Sequence, residues 1–248
     1  AYALVIHSRS QHARRAGRLY LVWTLIGELA LFCAIVLLAS AAGSLHFDAL
    51  TRHPPAAAIA LVLLAFGIKL ALPGLHVWLP LTYRAAPAVA AAVLSGPMIS
   101  AGLLGWLRFL PPGSAELAGW GTLLVVLGTI GVVLGVMAGA TQRDPRTVLG
   151  YSSIAKMGLI AAAYGMALKA GEAGALIVLP LVVFALHHLL VKGALFLGIA
   201  EWRRNGTSVW VLAGIGALAL SLAGAPLLGG AAAKASLAQA LAIAGGEM

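Results

Sequence analysis

Long apolar runs separated by short polar, proline or glycine breaks set the pattern of this chain. They predict helices at about 18–42, 55–73, 87–110, 118–141, 147–169, 173–200 and 209–244. The runs far exceed the roughly 4–8 residues of a buried strand, and they lack the strict alternation of a membrane barrel strand. The expected fold is all-α, a polytopic transmembrane bundle of about seven helices forming a single transmembrane domain over residues 1–248. Two of the runs carry interruptions. In IKLALPGLHVWLP, Pro73 leaves the Lys69 carbonyl without its helical partner and Gly74 loosens the same point. In LAGAPLLGGAAAKASL, Pro226 and the pair Gly229-Gly230 precede Lys234, and the run containing them is long enough to be broken. Interruptions at corresponding places predict two broken helices from inverted repeats, with Lys69 and Lys234 pseudo-equivalent.

Composition strengthens the membrane reading. The chain is 62% hydrophobic and 9% charged, with a mean hydropathy of +1.01, against roughly 45–50% apolar and 25% charged in soluble domains. The formal charge of +9 is carried by residues scattered singly or in pairs, which argues against a nucleic-acid partner and for a topological role. By alternate loops, Arg9, Arg14, Arg15, Arg18, Arg84, Arg143, Arg146, Arg203 and Arg204 face one side and Arg52, Arg108 and Lys169 the other. That bias places the N-terminal end in the cytoplasm, with a bacterial cytoplasmic membrane as the expected location. The single cysteine, Cys33, excludes an intrachain disulfide and is expected to pack in the core. No phosphate loop, dinucleotide fingerprint, zinc spacing or nucleophile elbow is present, so no catalytic or metal centre is expected in this chain. A start at Ala1 and a stop after an apolar run suggest an internal fragment of a longer subunit.

The remaining lysines change the picture most. Lys69, Lys156, Lys192 and Lys234 lie inside membrane-length runs, as does the carboxylate Glu28. A charge at bilayer depth costs at least ~2.5–3.5 kcal/mol, so such residues mark ion or proton pathways. Lys69 is too deep to snorkel, and a lysine there takes or releases a proton when a carboxylate partner moves. Glu28 is an isolated carboxylate that is protonated, paired with a cation or hydrated, or else a structural grip on a neighbouring helix. His188 and Lys192 are spaced i, i+4 and share a helix face, a plausible relay. His187 points about 100° away and either joins it or hydrogen-bonds a neighbouring helix. Ser152 and Lys156 also share a face, and Lys156 is expected to reach toward water near TQRDPR. Asp144-Pro145 reads as a helix cap with a first-turn proline. Trp78 and Tyr83 read as interfacial anchors, with Pro80 and Pro87 closing a connector. His76 is either an interface residue or part of the lysine pathway.

IKLALPGLHVWLP, TQRDPRTVLGYSSIAKMG, HHLLVKGALFLG and GAPLLGGAAAK, in this order, resemble the antiporter-like, proton-translocating membrane subunits of respiratory complex I, membrane-bound hydrogenases and multisubunit cation/proton antiporters. The resemblance implies that Lys69 serves a first half-channel, His188 and Lys192 a central relay, and Lys234 the exit half-channel. It places the glutamate that pairs with the first lysine on an earlier helix, of which AYALVIH would be the end, leaving Lys69 without that partner here. Leu81 stands where complex I members usually carry an acidic residue and is closer to the hydrogenase-linked branch. Ser100, Ala235 and Lys156 also depart from the common residues.

The resemblance further implies partners: other membrane subunits of one complex, a peripheral redox arm, the lipid bilayer, and H+ or Na+ as the transported ion. It implies that Fe–S, flavin, quinone or Ni–Fe centres belong only to partner subunits. The leading expectation is proton translocation coupled to electron transfer in a complex I-like or hydrogenase-like assembly. The alternatives are cation/proton antiport without a redox partner and a non-conducting membrane anchor.

Overall fold

The computed structural model describes residues 2–206 and 208–246. A short turn α1 (Tyr2–Val5) leads into α2 (Gln11–Ala42), whose start is fixed by Ser10, the Oγ of which accepts the Ala13 amide at 3.1 Å. The helix therefore begins before the apolar run does, and its 32 residues, about 48 Å, project the arginine-rich first turns beyond the ~30 Å hydrocarbon core. A turn, α3 (Phe47–Leu50), precedes α4 (Ala56–Lys69). At 14 residues, or about 21 Å, α4 is too short to span alone. The chain then breaks, with Ala71 at φ 52° and Gly74 at φ 83°, and resumes as α5 (Trp78–Ala85). Ala71 in the left-handed region is a strained position held by its surroundings.

This first break corrects the anchor reading. Trp78 and Tyr83 are 2% and 0% exposed. Trp78 Nε1 donates to the Ile68 carbonyl at 3.1 Å and Tyr83 Oη to the Leu94 carbonyl at 3.3 Å. The Trp78 indole satisfies a carbonyl beside the break, and the Tyr83 ring packs edge-on against Phe196 with centroids 5.2 Å apart. Pro80 lies in the first turn of α5 rather than in a connector, where its missing N–H costs no helical bond.

The next predicted helix is present as α6 (Ala88–Val93) and α7 (Ile99–Phe109), joined through a π-turn at Leu94–Met98 that accommodates Pro97. The helices α8 (Ala118–Ala140) and α9 (Pro145–Lys169) form the most extensive helix pair. Gly128 faces Gly158, and a Cβ on Gly128 would lie 2.5 Å from the Gly158 carbonyl oxygen, so the backbones touch where small residues permit it. The central helix α10 (Ala175–Asn205) packs against α6, α9, α11 and α12. The last run is broken as expected: α11 (Val209–Ala223) stops at Gly224, φ 86°, and α12 (Gly229–Gly246) follows after Leu227, φ 68°. Only a residue tolerant of positive φ caps α11 in this way.

Four stretches, Gln11–Ala42, Ala88–Phe109, Ala118–Ala140 and Gly171–Asn205, are each long and apolar enough to cross a membrane. The shorter apolar helices, Ala56–Lys69 and Val209–Ala223, are the leading halves of the two broken helices. No strand occurs among the described residues. Apolar side chains such as Leu25, Leu29 and Phe32 on α2 and Ile130, Val133 and Met137 on α8 face outward, as the surface of a membrane bundle requires. Cys33 is also exposed, which corrects the expectation of a core cysteine: it lies on this outward face of α2. At one end Arg146 donates to the Ala86 carbonyl at 3.2 Å and Arg203 to Asp144 at 2.6 Å. At the other, Arg108 lies 4.2 Å from the Phe47 ring centroid and His53 contacts Glu116 at 3.2 Å. The helix order thus puts the two groups of basic loop residues at opposite ends.

Candidate functional site

Lys69 is the last residue of α4, aimed out of the first break. Its Nζ donates to Glu28 Oε1 on α2 at 2.5 Å, and the two side chains are 25% and 52% exposed. This corrects the expectation that the lysine lacks an acidic partner in this stretch. The carboxylate comes from α2, directly after Gly27, which packs against Ala65 and Ile68 of α4. A cavity of about 30 Å3, lined by Tyr20, Trp23, Thr24, Lys69, Trp78 and Met98 among others, adjoins the pair. It is large enough for a water molecule.

The second set of groups lies on α9, α10, α11 and α12. His188 and Lys192, one turn apart on α10, are 1% and 0% exposed. Lys192 Nζ donates to the Leu149 carbonyl of α9 at 2.6 Å. Neither ring nitrogen of His188 has a hydrogen-bond partner among the described residues. Buried polar atoms are normally satisfied, so the unpaired imidazole beside the buried Lys192 is an exception among the described residues. His187 turns away from them and bonds Ser221 Oγ of α11 at 3.0 Å.

At the second break Lys234 donates to the carbonyl of Ala223, the last residue of α11, which α12 can no longer satisfy. Lys156 does not extend toward the TQRDPR loop, as expected of it. Its Nζ lies 5.4 Å from the Phe184 ring centroid. Its position on α9, packed against both α10 and α12, turns the side chain inward. His76 lies in the first break, with a buried, unpartnered Nδ1. It borders a cleft of about 350 Å3 with Pro80, Leu81, Arg84, Gln142 and Tyr151, not the cavity at Lys69. The structure therefore brings Glu28 to Lys69, and sets Lys156, His187, His188, Lys192 and Lys234 on the mutually packed helices α9, α10 and α12. No hydrogen bond or ion pair joins the two sets among the described residues.

Sequence reasoning missed three partners. The carbonyls of Leu149 and Ala223 carry no side-chain signal. Ser221 could have been flagged as a lone hydroxyl in GIGALALSLAG just before a break. Outside the spans, Asp144 caps α9 by accepting from the Thr147 amide at 3.1 Å and also binds Arg203. Burial works to raise its carboxyl, but the Arg203 and Thr147 hydrogen bonds outweigh it, so the group titrates below its usual value.

A broken helix ending at a lysine paired with a carboxylate, a buried histidine–lysine helix, and a second broken helix carrying a lysine now stand in sequence order. The description "NADH:quinone oxidoreductase/Mrp antiporter, TM" matches residues 1–244. The chain belongs to this family. It is 32% identical over 217 residues to Hydrogenase-4 component B of Escherichia coli, an alignment covering 80% of this chain and 31% of that protein. It is 31% identical over 210 residues to NADH-ubiquinone oxidoreductase chain 4 of Formosania lacustris, covering 80% and 44%. The fold superimposes on a chain of the Mrp complex from Dietzia sp. DQ12-45-1b with a TM-score of 0.80 and 24% identity, covering 96% of this chain and 47% of that one. The chain thus spans less than half the length of these relatives. As a member of the family it is an antiporter-like integral membrane subunit.

Proposed function

We propose that this chain is part of a membrane subunit that translocates protons, coupled to electron transfer in a complex I-like or hydrogenase-like assembly. The observation that carries the reading is the fully buried His188–Lys192 pair, unpartnered at the imidazole and flanked by lysines at both broken helices. Separating and re-forming the Glu28–Lys69 pair changes the proton occupancy of Lys69, because the lysine alternates between a charged and an uncharged partner environment. The groups on α9, α10 and α12 then hand charge along as coupled titrating sites. Redox centres, and the peripheral arm that holds them, belong to partner subunits. The basic loops carrying Arg143, Arg146, Arg203 and Arg204 face the cytoplasm under this proposal.

The test uses the full-length subunit with its native partners in proteoliposomes. Lumenal acidification driven by the partner's electron donor is recorded for wild type and Lys234→Met, with assembly and electron transfer checked. Translocation predicts that Lys234→Met abolishes acidification while electrons still flow. Unchanged acidification would support the membrane-anchor reading, and acidification driven by a sodium gradient with no electron donor would support antiport.

A further inference from the structure

The first turns of α2 carry a basic cluster that the buried lysines and histidines leave unused. Arg15 of α2 and Arg84 of α5 line a cavity of about 450 Å3 with His12 and Ser10, and Leu81 and Ala16 give it an apolar lining as well. A second cavity of about 580 Å3, lined by Arg14 and Arg18, shares His12 and Arg15 with the first. No carboxylate lines either of them. The ion pairs among the described residues are His53–Glu116, Lys69–Glu28 and Arg203–Asp144, so none of these four guanidiniums has an acidic partner there. A guanidinium stays charged and presents a fork of N–H donors that matches a phosphate.

The cluster continues into an outward apolar stripe. With 3.6 residues per turn, Arg15, Arg18, Val22, Ile26 and Leu29 lie along one side of α2, and the last three are 52%, 41% and 64% exposed. At 1.5 Å per residue the stripe runs about 21 Å from Arg15 to Leu29, enough to lead from the headgroups into the apolar half of one leaflet. We propose that this corner of the molecule binds an anionic phospholipid, with its phosphate in the cavity between Arg15 and Arg84 and its acyl chains along Val22, Ile26 and Leu29. A zwitterionic lipid has the same phosphate and chains but brings its own ammonium to a cavity that already holds two guanidiniums, so the site selects by headgroup charge. Free phosphate offers the same anion without chains, and the apolar stripe directly below the arginines is what favours the lipid. Leu81 keeps the cavity positive, because a carboxylate in its place would pair with the arginines and repel the phosphate. The proposal does not depend on the translocation reading.

The test uses the full-length subunit with its native partners in phosphatidylcholine nanodiscs doped with phosphatidylglycerol that carries a photoreactive acyl chain. Crosslinks are mapped onto α2 by peptide mass spectrometry, with assembly checked for every variant. Label is expected on residues 22–29. Each arginine near a membrane surface contributes roughly fivefold to anionic-lipid binding, so Arg15→Gln/Arg84→Gln should lower the label at least about tenfold. Leu81→Glu should lose it likewise, whereas Leu81→Ala and Arg143→Gln, a change to a basic residue outside both cavities, should retain it. Equal labelling by a phosphatidylcholine probe would show that headgroup charge is not recognised, and an equal loss in Arg143→Gln would show only diffuse surface charge. An unlabelled α2 would show that protein covers this face. Each of these results overturns the site. Competition by millimolar inorganic phosphate would assign the cavity to a free anion and overturn the lipid.

Discussion

Glu28 and Lys69 form an ion pair across α2 and α4 at a point where α4 has ended, so the lysine is held by a side chain rather than by its own helix. Removing the carboxylate charge leaves that cation unpaired, and Glu28→Gln is expected to lower donor-driven acidification at least about tenfold. Glu28→Asp should recover part of the loss, and equal activity of the Gln variant would count against a working pair. At the membrane surface, Asp144 offers a cleaner stability test. Asp144→Ala removes the α9 cap and the Arg203 contact, an expected loss of about 0.5–2 kcal/mol from the cap alone. Because the folded carboxyl titrates below its unfolded value, its contribution is fully present above the unfolded pKa of about 4 and is lost as pH falls through the lower folded value. Wild type should therefore lose its advantage over Asp144→Ala in acid, measured as the difference in Tm of the purified complex across pH.

At the scale of elements, both breaks depend on backbone geometry, and the two glycines that open α12 separate its demands. A Cβ on Gly230 would fall 1.7 Å from the Ser221 carbonyl oxygen, whereas on Gly229 the nearest atom is His187 Cδ2 at 3.6 Å. Gly230→Ala must therefore push α12 away from α11, lowering both Tm and acidification, while Gly229→Ala should leave them close to wild type. Comparable losses in the two variants would show that the close approach is not what matters. The helices and both breaks were legible because apolar runs, prolines and glycines act locally. The i, i+4 spacing of His188 and Lys192 likewise fixed their shared face. The burial of Trp78 and Tyr83 was not legible, because an aromatic residue near a polar loop has the same local pattern whether it faces headgroups or fills a break. Nor was Lys156: its inward turn follows from which helices flank α9, a tertiary fact with no local signature. The pairing of Glu28 with Lys69 was hidden for the same reason, since 41 residues separate them in sequence.

At the scale of the whole molecule, the basic loop residues divide between the two ends of the bundle, and the proposed orientation puts the richer end in the cytoplasm. In a Cys33→Ser background, Arg143→Cys should react with a membrane-impermeant thiol reagent only from the cytoplasmic side, and Arg52→Cys only from the opposite side. The reverse pattern would invert the topology. The central claim joins the two ends: charge crosses the bundle through the buried groups between the two broken helices. The most direct measurement is the number of protons translocated per electron by the full-length complex in proteoliposomes, for wild type and for Lys192→Met. The account predicts a lower ratio in the variant, with assembly intact and electron transfer continuing. An unchanged ratio would contradict it.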